Sequence, residues 1–245
     1  MLTLTDLLFP RRCPVCDRPV PVRDKEICKE CRGRLIYIRE PYCMRCGKPL
    51  GMRCGKPLGM GPDAGGTEFC FDCSHKRHVY DRGVCLYRYD SIRRTVYRFK
   101  YGGRREYASF LGKEMAEVLG EVLRSWKPDA LVPVPLHPAR LRKRGYNQAL
   151  LLARELGKQL KIPVEEHWLY RVKNTEPLKL LDGRERQNNL KKAFNIVQNE
   201  VKLRTIIIID DIYTTGSTVD EIAVICRQNG VERIYFAALS VGSGL

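Results

Sequence analysis

Residues 206–219 read IIIIDDIYTTGSTV, and this stretch decides the fold. Thr205–Ile209 is an unbroken apolar run, the pattern of a central parallel strand covered on both faces. The strand delivers Asp210 and Asp211 to its C-terminal end. A turn rich in hydroxyls, Thr214-Thr215-Gly216-Ser217-Thr218, then opens a helix. Such a turn offers backbone N–H groups and hydroxyls to a phosphate, and the helix dipole adds to the attraction. Gly216 permits close backbone approach. A bare phosphate would repel the two carboxylates beside it. They make sense if they hold a diol or a hydrated Mg²⁺, so a ribose 5-phosphate fits the pattern. The plainer alternative is a capped helix, but a cap needs one Ser or Thr, not four hydroxyls and two acids.

Strand and helix patterns alternate outward from this stretch. Val84–Tyr89 alternates as a strand. Tyr107–Leu123 carries a helical stripe of Phe110, Leu111, Met115, Val118 and Leu119. Ala130–Val134 is a short apolar strand, and Asn147 to Leu160 is a helix with Leu151, Leu152, Leu156 and Leu160 as its apolar positions. Ser217–Gln228 is a helix stopped by Asn229-Gly230, and Arg233–Val241 is a final strand. The alternation predicts a doubly wound α/β sheet.

The first third of the chain is different. Nine of the eleven cysteines fall between Cys13 and Cys73, in a segment rich in Gly and Pro. A boundary near Asp81 divides the chain into residues 1–81 and 82–245. Four CxxC pairs stand out: Cys13/Cys16, Cys28/Cys31, Cys43/Cys46 and Cys70/Cys73. Two such pairs supply the four thiolates of one closed tetrahedral zinc site, so eight cysteines predict two structural zinc ions. Sequential pairing is the simplest; an interleaved pairing stays open. Redox motifs share the CxxC spacing, but four pairs outside a βαβ pattern favour metal. Metal binding would supply folding energy that this small region lacks. Cys54 reads as a bystander, and His75 and His78 as solvent-exposed. The octapeptide MRCGKPLG occurs twice in tandem, at 44–51 and 52–59, and one copy reads as a loop duplication.

The 245 residues carry a formal charge of +16, which favours anionic partners. No apolar run is long enough to cross a membrane. Met1–Pro10 lacks a basic leader and a cleavage site, so a cytoplasmic location is expected, where cysteines serve metals more than disulfides. Residues 87–105, YRYDSIRRTVYRFKYGGRR, hold seven Arg or Lys and one acid. Tyr87, Tyr89, Tyr97, Phe99 and Tyr101 interleave with Arg88, Arg93, Arg94, Arg98 and Lys100. Cations beside stacking aromatics suit single-stranded nucleic acid. The alternatives are a helix whose aromatics face the core, or a shared site in which Lys100 serves phosphate binding.

The 206–219 segment resembles the phosphoribosyl-diphosphate (PRPP) signature of type I phosphoribosyltransferases. Residues 132–148 (VPVPLHPARLRKRGYNQ) resemble a motif of the ComF family. So does 175–194, with Leu181, Arg186, Asn189, Ala193 and Phe194 at the family's spacing. The CxxC pairs are similar to that family's double zinc ribbon. Leu178, where a Gln is expected, and the repeated octapeptide are departures. The resemblance implies a Rossmann-like type I phosphoribosyltransferase domain behind an N-terminal zinc-ribbon domain, in a family linked to DNA uptake in natural transformation or to growth on DNA. It implies that Thr214–Thr218 bind the 5-phosphate and that Asp210 and Asp211 bind the ribose hydroxyls. It also implies that the loop after Val134, with Arg140 and Arg144, faces pyrophosphate, with Mg²⁺ accompanying PRPP. Arg186 would reach over the site from a loop marked by Asp182-Gly183. Any reaction would displace pyrophosphate at the anomeric carbon, with Asp210, Asp211 and Arg186 as its catalytic residues. No nucleophile or base-recognition motif is visible. Three readings follow: a PRPP-binding protein of DNA uptake, with single-stranded DNA and uptake-machinery proteins as partners; a metabolic transferase acting on a base or amine; and a zinc-ribbon DNA-binding protein that only senses PRPP.

Overall fold

A computed structural model describes residues 10–20, 26–50, 52–53, 56–57, 68–172, 193–197 and 202–242. Its centre is a four-stranded, all-parallel sheet in the order β3-β8-β7-β4, formed by β3 (Arg82–Arg88), β4 (Ala130–Pro133), β7 (Thr205–Tyr213) and β8 (Arg233–Val241). Ile207 faces Leu131 on one side and Tyr235 on the other, which fixes the register of the middle strands. Ile206–Ile209 are fully buried, as an apolar run in a two-sided sheet requires. Each such side chain contributes about 1.5–3 kcal/mol of burial free energy.

The remaining elements are helices α1 (Lys29–Arg32), α2 (Phe71–His75), α3 (Tyr89–Tyr101), α4 (Tyr107–Ser125), α5 (Pro138–Arg144), α6 (Gln148–Leu160) and α7 (Ser217–Gln228). Two small antiparallel ladders complete the list. One joins β1 (Met52–Arg53) to β2 (Lys56–Pro57), within the second octapeptide copy; the other joins β5 (Leu169–Arg171) to β6 (Phe194–Ile196). The expected strands and helices are therefore present, with two local differences. Tyr89 opens α3 rather than ending the strand, because the Ser91 hydroxyl bonds back to the Arg88 carbonyl and Asp90 occupies the first turn. Val118, placed in the apolar stripe of α4, is 48% exposed: it lines an open cleft with Ile38, Tyr42 and Val122, while Phe110, Leu111, Met115 and Leu119 of the stripe are buried.

Two apolar cores flank the sheet, and the cysteine segment contributes to both. On one face Leu111, Met115, Leu152 and Leu156 of α4 and α6 pack with Ile207 and Ile209, together with Cys13, Val20, Ile27 and Cys31. On the other face Val219, Ile222 and Cys226 of α7 pack with Ile206 and Ile208, together with Cys43, Cys46 and Cys70. Between these two groups the chain runs along the outer edge of β3. Ile38 N donates to Leu86 O, Arg88 N to Ile36 O and Gly83 N to Arg45 O, at 2.7–2.9 Å. Gly47, at φ +68°, lies so close that a Cβ there would sit 2.8 Å from Val84 Cα. Glu114 of α4 is buried where Tyr37, Tyr87 and Arg32 all donate to its carboxylate.

Candidate functional site

Strand β7 carries the acid pair near its C-terminal end, two residues before Tyr213. Asp211 is buried, and Asp210 is half-buried with Oδ1 accepting from Asp211 N at 2.8 Å. Lys100, in the last turn of α3, places Nζ 2.7 Å from Asp211 Oδ2. Burial alone would lower the Lys100 pKa, but the attraction and hydrogen bond of Asp211 outweigh it and hold the ammonium above its usual value. Asp210 is pushed up to about 8, first by burial and then by the charge of Asp211, with Lys100 opposing. A proton or a cation would relieve that strain, which is what a site for a hydrated metal or a sugar diol requires. The end of α3 is clamped in place. Phe99 O accepts from Tyr146 Oη at 2.6 Å and from Gln148 Nε2 at 3.3 Å.

The turn follows directly. Gly216 is left-handed at φ +77° and precedes α7, so any other residue would be strained there. Thr214 and Thr215 are exposed, and Thr215 Oγ1 lies 2.9 Å from Ser217 Oγ. Thr218 stands in the first turn of the helix, half-buried. Five consecutive residues thus gather hydroxyls and the N-terminal end of a twelve-residue helix beside the acid pair.

The loop after β4 brings cations to the same end of the sheet. Asn147 caps α6, accepting from Ala149 N at 3.1 Å, and its amide donates to Val134 O at 3.0 Å. Gly145, at φ +80°, turns the chain from α5 into this cap. Arg144 donates to Gln148 Oε1 and Tyr101 Oη, both at 3.0 Å, and its charge reaches Lys100. Arg140 acts on Arg171 at the end of β5, whose pKa is lowered first by burial and then by Arg140, against Glu221 and Asp210. Arg171 was not flagged by the sequence, since its strand is three residues long and pairs with β6 only across the 172–193 stretch. Arg186, Leu178, Leu181 and Asn189 lie outside the described residues.

The eight paired cysteines form two Cys₄ groups, Cys13/Cys16/Cys28/Cys31 and Cys43/Cys46/Cys70/Cys73, each with all sulfurs within 4.8 Å of one another. The pairing is sequential. Cys16–Cys28, Cys13–Cys28 and Cys46–Cys70 are separated by 3.8, 3.7 and 3.6 Å. Four thiolates at Zn–S distances of about 2.3 Å would stand about 3.8 Å apart, so both groups fit structural zinc. Cys54 lies outside the described residues. His75 is exposed as expected, but His78 is not: it is 8% exposed, with Nδ1 2.9 Å from Asp220 Oδ2. The carboxylate of α7 supplies the partner that lets this ring be buried.

The basic stretch divides in the same way. Tyr87 and Phe99 belong to the core, so the five aromatics do not form one stacking platform. Tyr97 and Tyr101 are exposed, with ring centroids 5.3 Å apart. Lys100 stands with Asp211 at the acid pair, and Arg98 donates to Val15 O at 3.1 Å, whereas Arg93 and Arg94 are exposed. Arg93, Arg94 and Arg98 line a cleft of about 660 Å³ together with Arg18, Arg34 and Arg88, and it reaches Gly242 beside Thr214.

Several known proteins resemble this chain. Residues 4–74 match the family model described as double zinc ribbon domain. Across 236 residues the chain is 32% identical to "Competence protein F" of Haemophilus influenzae, covering 92% of this chain and 95% of that one. It is 30% identical over 235 residues to "DNA utilization protein YhgH" of Escherichia coli K12, covering 93% and 96%. It is 29% identical over 211 residues to "Competence protein ComFC" of Bacillus subtilis, covering 80% and 75%. Among solved structures, a purine phosphoribosyltransferase from Pyrococcus horikoshii aligns over 54% of this chain and 73% of its own, at 19% identity and a TM-score of 0.35. No helix among the described residues is long and apolar enough to cross a membrane. Similarity at this level through cysteine segment and sheet alike means that the chain belongs to the ComF family of competence proteins.

Proposed function

We propose that this protein binds PRPP with Mg²⁺ at the end of β7 and works in the handling of DNA taken up by the cell. The observation that carries the first half is the junction of Asp210, Asp211 and the Thr214–Thr218 turn, with Lys100, Arg140, Arg144 and Arg171 around it. The turn takes the 5-phosphate on backbone N–H groups and hydroxyls. The acid pair takes the ribose diol, and Arg140 and Arg144 face the diphosphate. Mg²⁺ would neutralise the diphosphate as a Lewis acid and reduce the repulsion between it and Asp210. The chain's own cations then supply electrostatic stabilisation without needing to move. Calorimetry with PRPP, with and without Mg²⁺, tests this reading. The wild type should bind only with Mg²⁺, and the Asp210→Asn, Asp211→Asn double variant should lose that affinity; equal affinity in both would overturn it. PRPP consumption, with a panel of acceptors and with none, separates a transferase from a sensor.

The second half rests on the cleft. Arg18, Arg34, Arg93 and Arg94 have no acid partner among the described residues, whereas Arg88 is paired with Asp90. Unneutralised cations along one groove, beside the exposed Tyr97 and Tyr101, suit a single-stranded phosphodiester backbone with stacked bases. The competence and DNA-utilization names of the relatives accord with that ligand.

A further inference from the structure

The segment leaving the second Cys₄ group runs directly under the phosphate turn. Cys73 lies in α2, and the chain from Ser74 to Tyr80 then reaches the sheet. Three donors from this segment converge on the carboxylate of Asp220, in the first turn of α7. Lys76 Nζ and His78 Nδ1 each lie 2.9 Å from Oδ2, and Val79 N lies 3.0 Å from Oδ1. The Asp220 main chain in turn donates to Gly216 O at 2.8 Å. The Tyr80 hydroxyl lies 2.7 Å from the Tyr213 hydroxyl, and the His78 ring stacks on Tyr80 with centroids 4.8 Å apart. Gly216 rests on the Tyr213 hydroxyl and the His78 ring: a Cβ there would come 2.7 Å from Tyr213 Oη and 3.0 Å from His78 Cε1. The other knuckle of the same Cys₄ group reaches the same place. Lys48, two residues after Cys46, pairs with Asp72 at 2.5 Å and stands 5.6 Å over the Tyr213 ring.

Both halves of the second Cys₄ group therefore reach the base of the turn: His78 lies against Gly216, and Tyr80 and Lys48 meet Tyr213, the residue before it. Asp220 also presents a problem to an anion site. A carboxylate in the first turn of α7 would oppose a phosphate at the same helix end, and Lys76, His78 and Val79 N absorb its charge. We infer that the second zinc group sets the shape and charge of the phosphate turn, with His78 and Asp220 as positioning residues, so that metal at Cys43/Cys46/Cys70/Cys73 and phosphate at Thr214–Thr218 bind cooperatively. This rests on the reading of the turn as a phosphate site. The coupling is reciprocal, as linkage requires: phosphate on the turn slows zinc loss from the second group.

The test uses the full chain, zinc-loaded, as wild type and as Asp220→Asn, His78→Ala and Tyr80→Phe variants. Hydrogen exchange of the amides at 214–219 is read first, because it needs no ligand. Exchange there should quicken in the variants by on the order of tenfold, within the usual range of site-to-site coupling, while both zinc ions remain bound. Zinc release to a chromophoric chelator is then followed with and without inorganic phosphate. Phosphate should slow the release of one of the two ions in wild type and lose that effect in Asp220→Asn. Should His78→Ala fail to fold, Tyr80→Phe, which removes one hydroxyl, is read in its place. Unchanged exchange at the turn in zinc-replete Asp220→Asn and Tyr80→Phe would overturn the coupling, whatever PRPP does. PRPP failing to bind while exchange responds would overturn the ligand reading and leave the coupling standing.

Discussion

Arg98 Nη1 donates to the carbonyl oxygen of Val15 at 3.1 Å, so a cation in the middle of the basic helix also fastens the first cysteine knuckle. Removing it would disturb that knuckle as well as the cleft. The clean variant for nucleic-acid binding is the pair Arg93→Ala, Arg94→Ala, both exposed. It should leave the thermal transition unchanged and weaken binding of a single-stranded oligonucleotide. The log–log salt dependence should flatten by up to about 1.4 units, since each neutralised phosphate of a single strand contributes about 0.7. Fluorescence anisotropy across a salt series checks this; an unchanged slope would mean the cleft is not the strand's path.

Lys100 and Asp211 are both largely buried and 2.7 Å apart. Breaking such a pair from one side leaves an uncompensated charge, so Lys100→Met should lower stability by about 3 kcal/mol at neutral pH. Adding Asp211→Asn should restore most of the loss. Urea denaturation of the two single variants and the double variant measures the coupling.

Burial, and then the charge of Asp211, push Asp210 up to about 8 in the fold, from 3.8 for a free side chain. The folded state therefore holds a proton that the unfolded state has released throughout that window. Stability from this group is fully present below about pH 4 and falls as pH rises to about 8. Asp210→Asn should flatten that part of the pH–stability curve and be the more stable protein at pH 9, in metal-free buffer. A variant tracking the wild type at every pH would show that the carboxyl is not strained.

Metal analysis of the purified chain should give two zinc ions, and chelation should lower the melting temperature of the whole molecule. Cys13 and Cys31 are buried in the same core as Leu111 and Ile207, and Cys43, Cys46 and Cys70 in the same core as Ile208 and Ile222. Calorimetry should record one transition shifting downwards. A separate low-temperature transition for the cysteine segment would contradict the shared cores.

Much of this was legible from local pattern. The Ile206–Ile209 run, the acid pair and Gly216 each depend on residues adjacent in sequence, and the CxxC spacing depends on one knuckle at a time. What escaped was set by distant partners. His78 is buried because Asp220 meets it from α7, and nothing near residue 78 announces that. The sequence left Lys100 open between a nucleic-acid surface and phosphate binding, and only the end of α3 delivers it to Asp211. For Tyr87 and Phe99 the sequence left stacking and core packing open, and Glu114 and the α3–α6 packing take them inward. Arg171 is positioned by a ladder closed across the 172–193 stretch, which no periodicity reveals.

The hydrogen bonds along β3 bear on how this chain could be shortened. Residues 36–38 and Arg45 occupy the outer edge of that strand, and Pro163–Glu165 lie along β4 at the opposite margin. A fragment beginning after the cysteine segment would keep its four parallel strands but leave the N–H groups of Gly83 and Arg88 and the Leu86 carbonyl without partners. An open margin of that kind recruits strands from neighbouring molecules. The zinc ribbons thus act as a guard against polymerisation, and the α/β half should be monodisperse only while they are attached.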